Sequence, residues 1–342
     1  MPLSFGIGLS RNKDAYIAGR EAARQAAGII KNQDISIAFV FTTVQFNPEK
    51  ILEGVKTVLS KTPVVGSSGA GIITSSGIYM NAVAVLAISS TKIKFATACV
   101  TDLDKKDLRD CGQKLARIAL KGLGTSKREI FITFVDGLIK NGSQLIAGIK
   151  ETLGISLPII GGSSADDLKF KKTYQFFNKQ VLTNSVVGVL VGENATIRIG
   201  IKHGWKPLGK PRIATSASGN IIKSIDNKPA ISIYEDYFGK DNHEIKSGKL
   251  IYLSIRYPLG IYLEGEEEYL LRNAIDITQD GSLICQGDVP QNATLKLMMG
   301  TKETTLRAAA QAAEELKRTS GKHKPPKFAI IFDSFSRNRL LG

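Results

Sequence analysis

The chain has 342 residues, 43% apolar and 23% charged. That composition belongs to a globular protein with room for two or three cores, and excludes a fibrous or disordered one. Its longest apolar runs, such as Ala82–Ile88, fall well short of the roughly 20 residues of a membrane helix. The opening Met1-Pro2-Leu3-Ser4 has no basic and apolar leader, so secretion is not expected and a cytoplasmic location is. Three scattered cysteines, Cys99, Cys111 and Cys285, frame neither disulfides nor a zinc knuckle. The net charge of +15 is concentrated in residues 103–220, which hold 19 basic and 9 acidic side chains. A basic stretch of this kind attracts polyanions. No helix-turn-helix, zinc finger or aromatic-studded strand accompanies it, so nucleic acid is not an expected partner.

In chain order, the stripe Ala15, Ala18, Ala22, Ala26, Ile29 predicts a helix. The buried strand Ile35–Phe41, a second helix over Ile51–Leu59, a short strand into the turn Gly66-Ser67-Ser68 and the strand Asn81–Ser89 follow. A second helix-strand pair then reads from Leu108, Cys111, Leu115, Ile118 and from Glu129–Val135. Ile51–Leu59 aligns with Leu145–Leu153, and Pro63-Val64-Val65-Gly66-Ser67-Ser68 with Pro158-Ile159-Ile160-Gly161-Gly162-Ser163. Internal similarity at offsets of 94 and 95 residues marks a repeated supersecondary unit, here β-α-β-α-β-β. Thr196–Ile201 reads as a strand leading to His203-Gly204-Trp205.

A β-rich insertion follows. Ile213–Ala217 and Ile221–Ile225 flank a Ser218-Gly219-Asn220 hairpin turn. Asp226–Ala230 opens a short helix through Tyr237, and Leu250–Arg256 reads as a strand. A third, incomplete unit has a strand at Leu295–Met299, a helix at Glu303–Arg318 with Leu306, Ala309, Ala313 and Leu316 inward, and a strand at Phe328–Phe332. Ser320–Lys327 reads as a loop. The expected fold class is α/β, with repeated units whose helices cover mixed sheets, plus the insertion. The expected division is 1–200, two units of about 1–93 and 94–200, and 201–342, with the insertion at about 206–290 and the third unit at about 291–342.

The chemistry of most enzymes is missing. The three histidines, His203, His243 and His323, are far apart and have no metal-spaced partner, so no metal site is expected. No phosphate-cradling glycine loop is present and no cofactor is expected. Gly161-Gly162-Ser163-Ser164-Ala165 approaches a nucleophile elbow but ends in alanine. A hydrolase using Ser163, Ser164 or Cys285 stays open as an alternative, as does an interaction scaffold working through the basic surface.

The candidates are polar, glycine-rich strand ends, where α/β sheets bind ligands. Asp136, before Asn141-Gly142, can hold an amine or order its loop. Gly161, Gly162 and Ser163 can offer amides and a hydroxyl to a carboxylate or form a tight turn of the repeat, with Asp166 and Asp167 beside them. His203 and Trp205 can form a wall or a packed junction. Arg256 can meet an anionic ligand or a structural partner.

These segments resemble the FIST-domain family, an N-terminal followed by a C-terminal FIST region. The resemblance is carried by Val64-Val65-Gly66-Ser67-Ser68 with Gly71, Asp136-Gly137 with Asn141-Gly142, and Gly161-Gly162 with Ala165-Asp166-Asp167. It continues through Tyr174-Gln175-Phe176, Val187-Gly188-Val189-Leu190, His203-Gly204-Trp205, Asp226 with Lys228-Pro229-Ala230, and Tyr234. It implies a cytoplasmic sensory domain that binds a small ligand, an amino acid in the family's proposed role, and passes the signal to a signalling protein. Such proteins continue further and carry a cysteine where Ser334 stands, so weaker binding is expected. Without its usual cover, the Phe328–Phe332 edge invites homo-oligomer formation.

Overall fold

The computed structural model describes residues 3–30, 34–125, 127–266, 268–318 and 325–341. His323 and the Ser320–Lys327 loop as far as residue 324 lie outside the described residues. The chain divides into two units. One comprises Met1–Ile139, Gln144–Ile197 and Lys327–Phe332; the other comprises Lys140–Ser143, Arg198–Pro326 and Asp333–Gly342. Among the described residues no helix is long and apolar enough to cross a membrane.

The first unit opens with β1 (Ser4–Ser10), α1 (Ala15–Ile29), β2 (Ile37–Thr43), α2 (Pro48–Val58) and β3 (Val64–Gly69). A small hairpin of β4 (Ile72–Thr74) and β5 (Gly77–Tyr79) leads to β6 (Val83–Ser89). Then come β7 (Phe95–Thr101), α3 (Leu108–Leu123), β8 (Arg128–Val135), α4 (Gly142–Leu153) and β9 (Ile159–Ser163). β10 (Gln175–Phe177), β11 (Gln180–Leu182) and β12 (Ser185–Gly192) complete it. Two sheets result, ordered β1-β6-β2-β3-β10-β11 and β7-β12-β8-β9. In each, a central strand (β2 or β8) runs parallel to the next one in sequence (β3 or β9) and antiparallel to β6 or β12. Both sheets are therefore mixed and carry their helix crossovers on one face.

Local sequence starts the helices. Asp14, Asn47 and Asp107 each accept a backbone N–H of the first turn with the side chain, the ordinary N-cap device. Alanines of α1 pack with Ile51 and Val55 of α2 and with Val40, Val64 and Val85 of the first sheet. Cys111, Leu115 and Ala119 of α3 pack with Leu145 and Ile149 of α4 and with Phe131 and Leu190 of the second. The rings of Phe39 and Phe41 meet that of Phe134 at centroid distances of 6.2 and 5.6 Å, joining the two sheets.

Within each helix pair the backbones touch through glycine. A Cβ added at Gly19 would lie 2.2 Å from the Ile51 carbonyl oxygen, and one at Gly54 would lie 2.1 Å from that of Tyr16. The second pair repeats this: a Cβ at Gly112 would sit 2.1 Å from the Leu145 oxygen, and one at Gly148 would sit 2.0 Å from that of Arg109. Ile29 and Ile118, expected inward, are exposed. The buried stripes run instead through Ala18, Gly19, Ala22, Ala23, Ala26 and through Cys111, Gly112, Leu115, Ala116, Ala119, because close approach selects the small residues.

The second unit contains β13 (Lys206–Ile213), β14 (Ser216–Ser218), β15 (Ile221–Ile225), β16 (Lys228–Pro229), α5 (Ser232–Phe238), α6 (His243–Lys246) and α7 (Leu250–Arg256). It continues with β17 (Leu259–Ile261), β18 (Leu270–Arg272), β19 (Ala274–Ile277), β20 (Leu283–Cys285), β21 (Thr294–Met299), α8 (Lys302–Arg318) and α9 (Phe335–Leu341). Its sheets are ordered β13-β21-β17-β18 and β14-β15-β20-β19, with β16 on β15. Pro207 and Pro211 lie in β13, an edge strand, where a missing ladder donor is tolerated. The core gathers Ile222, Tyr234, Leu253, Leu283 and Leu297. Tyr234, fully buried, donates to the Tyr257 carbonyl oxygen at 3.0 Å.

Four expectations are corrected. Leu250–Arg256 is the helix α7, with Leu250, Leu253 and Ser254 buried and Tyr252 exposed; a short apolar run does not by itself separate strand from buried helix. Thr196–Ile201 forms no strand. Its Gly200 approaches α8, where an added Cβ would lie 2.2 Å from the Ala312 oxygen. Phe328–Phe332 is not a strand either; Phe328 and Phe332 pack their rings against Phe5 and Phe134. On α8 the inward residues are Thr305 and Ala308, with Ala312 and Leu316 half-buried, while Leu306, Ala309 and Ala313 are exposed. Alanine on every side of that helix made the sequence stripe ambiguous by one position.

Gly148→Ala forces the second helix pair apart and is expected to lower stability by about 1–3 kcal/mol. Gly28→Ala, at a helical position with nothing within 4 Å of the added carbon, is expected to raise it by about 0.5–1 kcal/mol. Urea denaturation of both variants measures the pair; equal effects would refute the contact's role.

Candidate ligand site

β8 and β9 run side by side, with Val135 opposite Ser163, and end together. The chain leaving β8 supplies Asp136 and Gly137; the chain leaving β9 supplies Ser164 to Asp167. Asp136 is buried. Its Oδ1 accepts from Leu138 N at 2.8 Å and its Oδ2 from Asn184 N at 2.7 Å. Of the two roles open to it from sequence, this geometry is that of a loop-ordering carboxylate.

Asp166, also buried, gathers three consecutive amides. Oδ1 accepts from Phe170 N at 3.1 Å, and Oδ2 accepts from Lys171 N at 2.7 Å and Lys172 N at 3.1 Å. The loop it closes holds Asp167, Leu168 and Phe170 at φ of 59°, 60° and 50°. Left-handed backbone at leucine and phenylalanine is costly and persists only where surrounding contacts impose it.

A polar seam ties this loop to the end of β3. Ser68 Oγ donates to the Ala165 carbonyl oxygen at 3.0 Å and accepts from Tyr174 N at 3.0 Å. Ala165 N donates to the Ser68 carbonyl oxygen. Gln175, completely buried, donates to Ser164 Oγ at 2.9 Å and accepts from Ser185 Oγ at 2.7 Å. Gln45 Nε2 donates to Asp167 Oδ2 at 2.7 Å. Gly161 is required by proximity, since a Cβ there would lie 2.0 Å from the Thr133 oxygen. Gly161 and Ser163 are exposed and Gly162 is half-buried, so this stretch of β9 is open to a ligand.

Asn141, His203, Trp205 and Arg256 belong to the second unit. The Asn141 Oδ1 is buried without a hydrogen-bond partner among the described residues. His203 Nδ1 accepts from Trp205 N at 2.9 Å, so the ring proton of the neutral form sits on Nε2, which faces the Tyr269 carbonyl oxygen at 3.1 Å and Glu268 Oε2 at 2.7 Å. Burial lowers the imidazole's pKa and outweighs the Glu268 carboxylate, which acts to raise it; Lys206 and Lys202 lower it further. Protonation of Nδ1 would also break the bond from Trp205 N. Trp205 is buried and donates Nε1–H to the Arg256 carbonyl oxygen at 3.1 Å, the geometry of a packed junction. The Arg256 guanidinium pairs with Glu244 at 2.9 Å.

Sequence reasoning missed Gln45, Ser164 as a buried member of the seam, Gln175, Ser185 and Glu268. Ser68 and Gln175 were visible as members of the quoted motifs. The pairing was not: the Ser68 bonds span 97 and 106 positions, and those of Gln175 to Ser164 and Ser185 cross between strand ends.

Comparison with known proteins agrees with the motifs. The profile of the FIST N domain matches residues 36–228 and that of the FIST C domain matches residues 230–342. The chain belongs to the FIST family, whose domains are sensory domains associated with signalling. An uncharacterized protein of Methanocaldococcus jannaschii is 26% identical over 190 residues, covering 52% of this chain and 36% of that protein. An uncharacterized protein of Mycobacterium tuberculosis is 24% identical over 202 residues, covering 56% of this chain and 51% of the relative. The matches thus span about half or less of these relatives' length. A solved cyanuric acid hydrolase aligns at a TM-score of 0.33 with 10% identity, covering 56% of this chain and 68% of that one, a likeness too slight to carry an argument.

Asp166→Asn is expected to cost about 1–3 kcal/mol, the penalty for a buried acceptor mismatched to its donors. Hydrogen exchange at Phe170, Lys171 and Lys172 should accelerate; unchanged protection would contradict the role assigned to the carboxylate. Because the His203 pKa is depressed in the folded state, its contribution is fully present above about 6.5 and is lost as pH falls below that value. His203→Gln should flatten that part of the stability–pH curve, and a curve unchanged by the substitution would refute it.

Proposed function

We propose that this chain is a cytoplasmic sensory module that binds a small ligand, an amino acid in the family's proposed role, and performs no chemistry on it. The observation that carries the reading is the loop after β9, kept in left-handed backbone and closed by the buried Asp166 carboxylate. Strain of this kind clusters at ligand clamps, where the geometry is prepared before the ligand arrives. In this reading Asp136 and Asp166 are positioning residues, and Gly162 and Ser163 meet the ligand directly. The two similarly ordered sheets are copies of one module, and the loop after β9 is the elaborated counterpart of the turn after β3. The output passes to a signalling protein.

Other groups argue against the hydrolase alternative. The Cys285 thiol is completely buried, and burial pushes it up to about 12, leaving it protonated and unreactive. Ser164 Oγ accepts a hydrogen bond from an amide, which is no general base. The residues of the first unit include no histidine.

A thermal-shift panel of the proteinogenic amino acids and common metabolites tests the reading. A ligand at about 100 times its Kd should stabilise the fold by about 2.7 kcal/mol and be recovered unchanged. An unfolding temperature unmoved by every compound, or conversion of the compound that binds, would overturn it.

A further inference from the structure

Arg272, at the end of β18 in the second unit, is half-buried and has no carboxylate within ion-pairing distance among the described residues. Its Nε donates to the Asp288 carbonyl oxygen at 2.9 Å and its Nη1 to the Leu271 carbonyl oxygen at 3.0 Å. A guanidinium has five N–H donors, and the others, both on Nη2 among them, meet no acceptor among the described residues. Burial works against the charge of this group, and the Asp288 carboxylate acts on it only electrostatically. The two carbonyl oxygens fix the plane of the guanidinium, and its unpartnered donors are not buried, so they face solvent and are open to a ligand.

Ser143 converges on the same spot. It belongs to the Lys140–Ser143 segment, which clusters with the second unit. Its Oγ accepts from Asp288 N at 3.3 Å, leaving the O–H to donate. Gly287 lies between the two groups: a Cβ there would stand 3.0 Å from Ser143 Oγ and 3.1 Å from Arg272 Nε. A side chain at 287 would crowd both groups, which would have to give way by a few tenths of an ångström.

We propose that Arg272 and Ser143, brought together across Gly287, form a binding site for the carboxylate of a small metabolite, the α-carboxylate of an amino acid. The forked donors of arginine match a carboxylate edge-on, and Ser143 adds a third donor. A singly charged group fits better than phosphate, because the neighbouring Asp288 repels a dianion and attracts an ammonium group. The inference goes beyond the small-ligand reading above and uses none of the residues of the loop after β9.

The test follows the Arg272 Nε–H resonance by NMR, together with the unfolding temperature, while each amino acid, its C-terminal amide and inorganic phosphate are titrated into the full chain. The resonance is assigned by its loss in Arg272→Gln, whose folding is checked by near-ultraviolet circular dichroism. Arg272→Lys keeps the charge without the fork, and Gly287→Ala spreads the donors. At least one free amino acid should shift the Nε resonance and raise the unfolding temperature while its amide does neither. Arg272→Lys and Gly287→Ala should each weaken binding by about tenfold or more, the loss of one good charged hydrogen bond. If amino acids stabilise the protein with the Nε resonance unmoved, or stabilise Arg272→Gln equally, this site is refuted while the sensory reading stands. Equal binding of the amide, or stronger binding of phosphate, refutes the carboxylate assignment. If no compound moves either signal, both the site and the sensory reading fall.

Discussion

Two helices whose backbones touch dictate much of the first unit. With Gly54 against the Tyr16 carbonyl and Gly148 against that of Arg109, each helix pair approaches more closely than side chains would permit. The pair then covers its sheet as one layer, and the strand ends beyond it are held at a set separation. Protein interiors are close-packed, so an added methyl group at such a point has nowhere to go. The same device recurs in both helix pairs, matching the common strand order of the two sheets.

The polar strand ends exist within that frame and are mostly satisfied by it. Asp136 and Asp166 each hold backbone amides, and Gln175 links two serine hydroxyls in a buried chain. Burying so many polar groups is tolerable only because they pair with one another. The consequence for function is a division of labour. The carboxylates that looked most chemical shape the loops, and in the proposed reading recognition is left to less conspicuous groups.

Much of the architecture was legible as pattern. The alanine stripe of α1, the apolar runs of β2 and β8, and the hairpin of β14 and β15 are local in cause: periodicity and turn chemistry act within a few residues. Where the sequence misled, the cause was long-range. Leu250–Arg256 became a helix because Leu250, Leu253 and Ser254 face one core. The face of α8 turned by one position because its alanines fit on any side, and contact with Gly200 and Gly204 selected among them.

The order of residues alone determined the alternation of strands and helices and the motifs that mark membership of the FIST family. Only the tertiary structure decided which polar side chains are already engaged. Asp166 and Arg272 look equally available in a list of charged residues, yet one accepts three amides of its own loop and the other has donors that meet no acceptor among the described residues. Hydrogen-bond saturation depends on how each loop is folded: Asp166 meets amides only four to six positions away, but only once the backbone between them turns left-handed, and residue identity alone does not encode that turn.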